Sequence, residues 1–383
     1  MITVLYICPD ISLGGSSRSL IDMIDSLKED VSPIVLLPRT GPVSSLLEER
    51  GIRFIVYPYI LLHQVKRTNW IKNILHPWRY PLFRYFRTDL KCALFVKESL
   101  RGEIIDIVHS NFSPVTVGCI LSRILKAKHV WHIREFLDLH FGFDIFLGIP
   151  RLRRLINNAD ARIFISRSVC DHWRPKKINT WVINDAVCIG SNTPPINWTK
   201  QSYFMFCSFK LTEAKGARIA IEAFGRSHLK ESGYSLKMVG NCDPDYRESL
   251  LKTADTFNCA DRIDFLPCQD DLSRLYANAA GFIMSSYCEG LGRVTAEAMF
   301  YGCPVIAHAS GGTLDLVQDG ITGHLFSTVE DCVSKMIEVS SSNQSVIIKN
   351  AQRFVLENLS QMEYGPKIMS IYTNVLGRYG AKS

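Results

Sequence analysis

Short apolar, β-branched runs recur along the whole chain with helix-like stretches between them, and this alternation most restricts the fold. In the first half the runs are Thr3 to Cys8, Ile34 to Leu37, Arg53 to Tyr57, Ile104 to His109, Val130 to Ile133, Arg162 to Ser166 and Trp181 to Ile183. In the second half they are Tyr203 to Phe206, Leu236 to Val239, Ile263 to Leu266, Gly281 to Met284, Pro304 to Ala307 and His324 to Phe326. Near-continuous apolar strands are buried on both faces, so the pattern predicts parallel sheets covered by helices. The 383 residues exceed what one compact core holds, and two domains are expected. Gly190-Ser-Asn-Thr-Pro-Pro-Ile-Asn197 has the composition of a linker between them. The predicted class is α/β, with two Rossmann-like, doubly wound domains over residues 1–190 and 198–361 facing each other across a cleft. Ligands in such sheets bind at the loops that follow the strands' carboxyl ends.

An apolar content of 47 % with 21 % charged residues excludes extensive disorder. The twelve cysteines form no C-x-x-C pair and no zinc-finger spacing, so they read as reduced, buried residues of a cytoplasmic protein. Met1 to Asp10 lacks a basic stretch followed by a long apolar one, which predicts no secretory signal. No apolar run approaches the roughly 18–20 residues that span a bilayer; the candidates near Tyr57 to Leu62 and Phe141 to Pro150 are short.

Three loops carry chemistry-bearing residues. After the first strand, Gly14 and Gly15 lead into a helix beginning near Arg18, where backbone amides could meet an anion or simply make a turn. This is not G-x-G-x-x-G, so a dinucleotide fingerprint is absent. After the strand Gly281 to Met284, Glu289 sits on a loop with Gly290 and Gly292, and Glu297 on the helix that follows. The glycines let helix-start amides face phosphate oxygens, and a carboxylate there can accept hydrogen bonds from a sugar diol. By spacing alone, a plain turn with a solvated Glu297 is equally compatible. Asp243-Pro-Asp245 reads as a helix start, with Asp245 and Glu248 as a capping box, rather than as a metal pair.

Seven residues separate Glu289 from Glu297. That stretch, with Gly302-Cys-Pro-Val-Ile306, Gly311-Gly312 and Asp319-Gly-Ile-Thr-Gly323, closely resembles the signature of family 4 of the retaining, GT-B-fold glycosyltransferases. The resemblance extends upstream into Leu272 to Tyr276 and reaches Gly14-Gly15 only weakly, covering the second domain well and the first loosely. It implies a first domain for the acceptor and a second for a nucleoside diphosphate sugar, with the helix of residues 362–383 packing back on the first. Glu289 would contact the donor sugar at its reacting face and Glu297 the ribose, while amides around Leu291, Gly292 and Val294 take the distal phosphate and Gly14 and Gly15 line the same ligand. A basic pair usually accompanies them. Here Lys215 fits the pattern, whereas Lys210 stands where arginine is usual and Phe209 where glycine is usual. Lysine keeps the charge that stabilises a departing diphosphate but loses the bidentate fork.

Trp131-His132-Ile133-Arg134-Glu135 ends a first-domain strand. The resemblance makes His132 a contact of the donor sugar; a hydrogen-bonded core histidine is the alternative. His129 and His132, three apart on a strand, project to opposite faces, which argues against shared metal ligation. Arg134 and Glu135 could hold the acceptor or each other. No metal and no cofactor beyond the donor are expected.

Residues 1–190 hold 26 basic and 17 acidic side chains, net +9, and residues 191–383 hold 18 and 20, net −2. Between Lys66 and Lys97 eight basic residues, among them Arg79, Arg84 and Arg87, face only Asp89, with Trp70, Trp78, Tyr80, Phe83, Tyr85, Phe86 and Phe95 interleaved. A solvated basic face and nucleic-acid binding would both use such residues, but no nucleic-acid motif accompanies them. Aromatics at headgroup level beside cations favour the surface of an anionic membrane. The resulting expectation is a cytoplasmic enzyme, peripheral at the inner face of the membrane. It would move a sugar from a UDP-sugar, in preference to a GDP-sugar, to a cell-envelope glycan or lipid-linked acceptor in polysaccharide biosynthesis, such as lipopolysaccharide or capsule. Its rivals are a nucleotide-sugar 2-epimerase-like isomerase, which the Glu289/Glu297 signature disfavours, and a silent nucleotide-sugar-binding protein, which the departure at Lys210 would suit.

Overall fold

The structure, a computed structural model, describes residues 1–9, 11–61, 63–65, 79–139, 143–145, 148–188 and 193–377, with backbone alone at 63–65, 79–85 and 143–145. The chain forms two compact units, Met1–Ala186 with Gln361–Ser383, and Val187–Ser360.

The first unit is built on a seven-stranded sheet. Its strands are β1 (Ile2–Ile7), β2 (Val31–Leu37), β3 (Arg53–Val56), β5 (Ile107–Ser110), β6 (Lys128–Ile133), β8 (Ala161–Phe164) and β9 (Thr180–Val182), in the spatial order β3-β2-β1-β5-β6-β8-β9. Every neighbouring pair is parallel. Because side chains alternate along a strand, Val4 and Tyr6 of β1 enter one apolar layer and Leu5 and Ile7 the other. The first layer is completed by the helix Gly15–Leu27 and by Tyr364, Ile368, Ile371 and Tyr372 of the returning helix Gln361–Val375. The second is completed by Cys92, Val96, Val117 and Leu121. A separate antiparallel pair, β4 (His63–Val65) with β7 (Phe143–Ile145), was not foreseen; three residues per strand carry no readable periodicity.

The second unit has six parallel strands, β10 (Gln201–Leu211), β11 (Ser235–Cys242), β12 (Ile263–Leu266), β13 (Ala279–Met284), β14 (Val305–His308) and β15 (His324–Phe326), ordered β12-β11-β10-β13-β14-β15. Strand order reverses between β1 and β5 in the first sheet and between β10 and β13 in the second. At such a reversal the crossovers diverge to opposite faces and leave a crevice at the strands' carboxyl ends. The loops after β10 and β13 therefore meet at the second unit's crevice, and those after β1 and β5 at the first's.

Two helix starts differ from expectation. The first helix begins at Gly15, three residues before Arg18. The helix Pro244–Thr256 is capped by Asp243, whose carboxylate accepts the Asp245 amide at 3.1 Å, so Asp243 and not Asp245 is the cap. Proline at the first helical position lacks the amide that has no intrahelical acceptor there, which favours this start.

Candidate functional site

At the second unit's crevice the loop after β10 brings Lys215 to the loop after β13. The Lys215 ammonium donates to both oxygens of Glu289, at 3.1 and 2.8 Å, and both side chains are about four-fifths buried, at 22 and 16 % exposure. The two loops are stitched together around this pair. Ser285 Oγ donates to the Gly216 carbonyl at 2.8 Å and Ser286 Oγ to that of Ala214 at 3.3 Å. Gly216 has φ +77°, and a Cβ there would lie 2.2 Å from the Ser285 carbonyl oxygen, so glycine is required for the approach. A third loop locks the first two: the Gly312 amide donates to the Glu289 carbonyl at 2.7 Å, and a Cβ on Gly312 would sit 2.0 Å from the Gly290 oxygen.

Lys210 is on β10 itself, paired with Asn241 of β11 just after an irregularity in the ladder that begins at Cys207, and its side chain is exposed. Bulges re-aim side chains at strand ends, and this one turns Phe209 and Lys210 to solvent.

The helix Arg293–Phe300 starts at Gly292, at φ +89°. Thr295 and Ala296 donate back to the Gly292 carbonyl at 2.8 and 3.2 Å, which leaves the amides up to Val294 at the helix mouth. Leu291 is buried beneath them. Glu297, one turn on, lies 4.0 Å from the Arg293 guanidinium. Thr295 Oγ1 and Thr313 Oγ1 are buried without a hydrogen-bond partner, two polar atoms that sequence reasoning did not single out. Glu289, Lys215, Lys210, Glu297, Leu291, Gly292 and Val294 thus all belong to the second unit, on the end of β10, two loops and one helix; Gly14, Gly15 and His132 belong to the first.

In the first unit Gly14 caps the helix that Gly15 opens. Asn111, directly after β5, donates to the Ser16 carbonyl at 3.0 Å and accepts from Arg134 Nε at 2.9 Å. Arg134 also binds both oxygens of Asp185 and donates to His132 Nδ1 at 3.2 Å. Tyr364 of the returning helix adds a bond to Asp185 at 3.3 Å. His132 is fully buried in this network, its Nε2 without a partner. Burial first and the Arg134 charge second push its pKa well below the usual value, so the ring is neutral. Neighbouring His109 is depressed for the same reasons and bonds Tyr372 at 2.7 Å. His129 turns the other way, to Ser110 Oγ at 2.9 Å.

Arg134 and Glu135 do not pair. Glu135 accepts the Ser113 amide at 2.9 Å and is itself buried, which raises its pKa to about 7. The folded state therefore holds this proton more tightly than the unfolded chain, whose carboxyl titrates near 4.5. Stability falls as pH rises from about 4.5 through 7, and the burial penalty is complete above that. Glu135→Gln, which keeps the acceptor oxygen, should stabilise the protein on the order of 2 kcal/mol at pH 8 and leave it unchanged near pH 4.5. Melting curves at the two pH values check this; equal gains at both would contradict it.

Residues 191–354 match the sequence model of the Glycosyl transferases group 1 family. Over 150 residues the chain is 30 % identical to the D-inositol 3-phosphate glycosyltransferases of Mycobacterium bovis and Mycobacterium tuberculosis. That match covers 37 % of this chain and spans only about a third, 31 %, of those relatives' length. Among solved structures, Anabaena HepE in complex with UDP and glucose superposes with a TM-score of 0.79 at 20 % identity, over 98 % of this chain and 100 % of that one. A glycosyltransferase from Rickettsia africae gives 0.76 at 18 %, over 98 % of each chain. The match of residues 191–354 to the Glycosyl transferases group 1 model and the superposition on these structures together support a fold of two parallel-sheet, Rossmann-like units of the GT-B kind.

Proposed function

We propose that the chain is a retaining, metal-independent glycosyltransferase of family 4. It moves a sugar from a UDP-sugar to a cell-envelope glycan or lipid-linked acceptor and needs no cofactor beyond that donor. The Lys215–Glu289 pair beside the start of the helix Arg293–Phe300 carries this reading, since it joins a cation, a carboxylate and helix-start amides in one crevice. UDP bound to Anabaena HepE supports the choice of nucleotide.

In this reading Glu297 accepts the ribose hydroxyls and the amides from Leu291 to Val294 face the distal phosphate. Lys215 and Lys210 stabilise the charge that grows on the leaving diphosphate. The bond from the anomeric carbon to the phosphate oxygen breaks, with its electron pair passing to the diphosphate. The acceptor oxygen bonds the same face of that carbon, and its proton passes to the departing phosphate oxygen. Glu289 backs the reacting face of the sugar.

The enzyme works at the cytoplasmic side of a membrane, held peripherally through the segment 66–97, of which 66–78 lie outside the described residues. No helix among the described residues is long and apolar enough to cross a bilayer. Nucleic acid is not a partner in this reading. Glu297→Ala should weaken UDP binding at least about tenfold, the size of one or two lost hydrogen bonds to a charged group. Unchanged UDP affinity in calorimetry would sink the ribose assignment.

A further inference from the structure

We propose that the helix Arg79–Ser99 docks the first unit on an anionic bilayer through an apolar stripe of Phe86, Leu90 and Leu94, an inference that rests on the membrane-bound acceptor of the preceding reading. The three side chains are 57, 47 and 53 % exposed and lie four residues apart, hence on one face. A helix whose outer face met only water would carry polar groups there. The opposite face, Cys92, Ala93 and Val96, is buried in the unit's second apolar layer, so the helix is firmly seated and its stripe is not a loose end of the core.

Charge identifies the occupant. Arg87, Lys91 and Lys97 are exposed alongside the stripe. Asp89, the only acid between Lys66 and Lys97, is turned inward instead, accepting the Ile60 amide at 3.2 Å and Thr116 Oγ1 at 2.9 Å. From Phe86 to Lys97 the outer face therefore offers apolar surface and cations, and the exposed Glu98 that follows is paired with Arg101 at 3.3 Å, a composition that suits an interfacial helix on anionic lipid. Asp89 also fixes the depth of the helix, because Ile60 follows β3 and Thr116 follows β5. Those two contacts place Asp89 near the carboxyl edge of the sheet, beside loops that would receive an acceptor in the preceding reading. A bilayer touching the stripe lies at that edge, where a lipid-linked glycan would be presented.

Sedimentation of the full chain with phosphatidylglycerol/phosphatidylcholine vesicles tests the proposal, with pure phosphatidylcholine as the neutral surface. The wild type should partition at least tenfold better onto the anionic vesicles. Leu90→Glu with Leu94→Glu should lose at least tenfold of that partitioning, and Arg87→Gln with Lys91→Gln should lose most of the preference for anionic over neutral lipid. A wild type that stays in the supernatant overturns the proposal, as does a Glu variant that binds like wild type. So does a stripe-dependent rise in mass on a sizing column without vesicle binding, which would make the face a contact between copies of the chain. UDP calorimetry on the same samples separates the two readings: all four positions lie outside the donor crevice, so UDP affinity should not change. Vesicle binding without any UDP binding would defeat the glycosyltransferase reading alone, and UDP binding without vesicle binding the docking alone.

Discussion

Lys215→Ala should lower the rate of sugar transfer about 10²–10³-fold, the loss seen when one preorganised group facing developing negative charge is removed. In the proposed mechanism its ammonium is held for that task. Gly216 and the Ser285–Gly216 bond fix the loop, and the amine sits 2.8 and 3.1 Å from the Glu289 oxygens. In the proposed mechanism a diphosphate draws Lys215 away from Glu289, so the carboxylate competes with the donor for the same cation. Glu289→Gln should consequently bind UDP alone several-fold more tightly, while transfer falls because the sugar's reacting face loses its carboxylate. Lys215→Arg should recover part of the rate, since the charge persists but the planar fork replaces a point charge. UDP release from a panel of UDP-sugars gives the rates, and calorimetry gives the affinities. A Lys215→Ala enzyme within twofold of wild type would remove the lysine from the mechanism.

All thirteen apolar runs read from the sequence are strands of the two sheets. They were legible because strands buried on both faces need no phase: a near-continuous apolar run suffices. The second unit's crevice was legible for a related reason, since Glu289, Gly292 and Glu297 lie in one continuous loop and helix start. What joins Lys215 to Glu289 is not local. The two are 74 residues apart, and they meet because β10 and β13 are neighbours, a strand order no periodicity encodes. The first unit shows the same limit more sharply. Arg134 and Glu135 are adjacent, just past the end of β6, yet Arg134 joins His132, two positions back, and Glu135 turns to Ser113. The partner of Arg134 is Asp185, 51 residues on and at the end of the first unit's main segment, with nothing in its neighbourhood to mark it.

Asp185→Ala should destabilise the first unit by about 3–5 kcal/mol, the cost of leaving a buried charge without its partner. Arg134 and Asp185 are almost wholly buried, at 3 and 2 % side-chain exposure, so water cannot replace the lost carboxylate. The other contacts of Arg134, Asn111 and His132 Nδ1, offer only neutral dipoles. At roughly 2–4 °C per kcal/mol for a unit of this size, the unfolding transition should fall by about 10 °C. The loss should also reach the returning helix, because Tyr364 donates to the same carboxylate, and amide exchange in Gln361–Val375 should quicken more than in the helix Gly15–Leu27 beside it. A charge-free pair separates burial of an ion from loss of shape. Arg134→Met with Asp185→Leu should regain more than half of the lost stability, since apolar pairs of similar volume replace buried ion pairs at little cost, while Asn111 and Tyr364 still lose a partner each. If Asp185→Ala costs less than about 1 kcal/mol, the level of an exposed pair, the guanidinium must be solvated and the network is not what holds the returning helix in place.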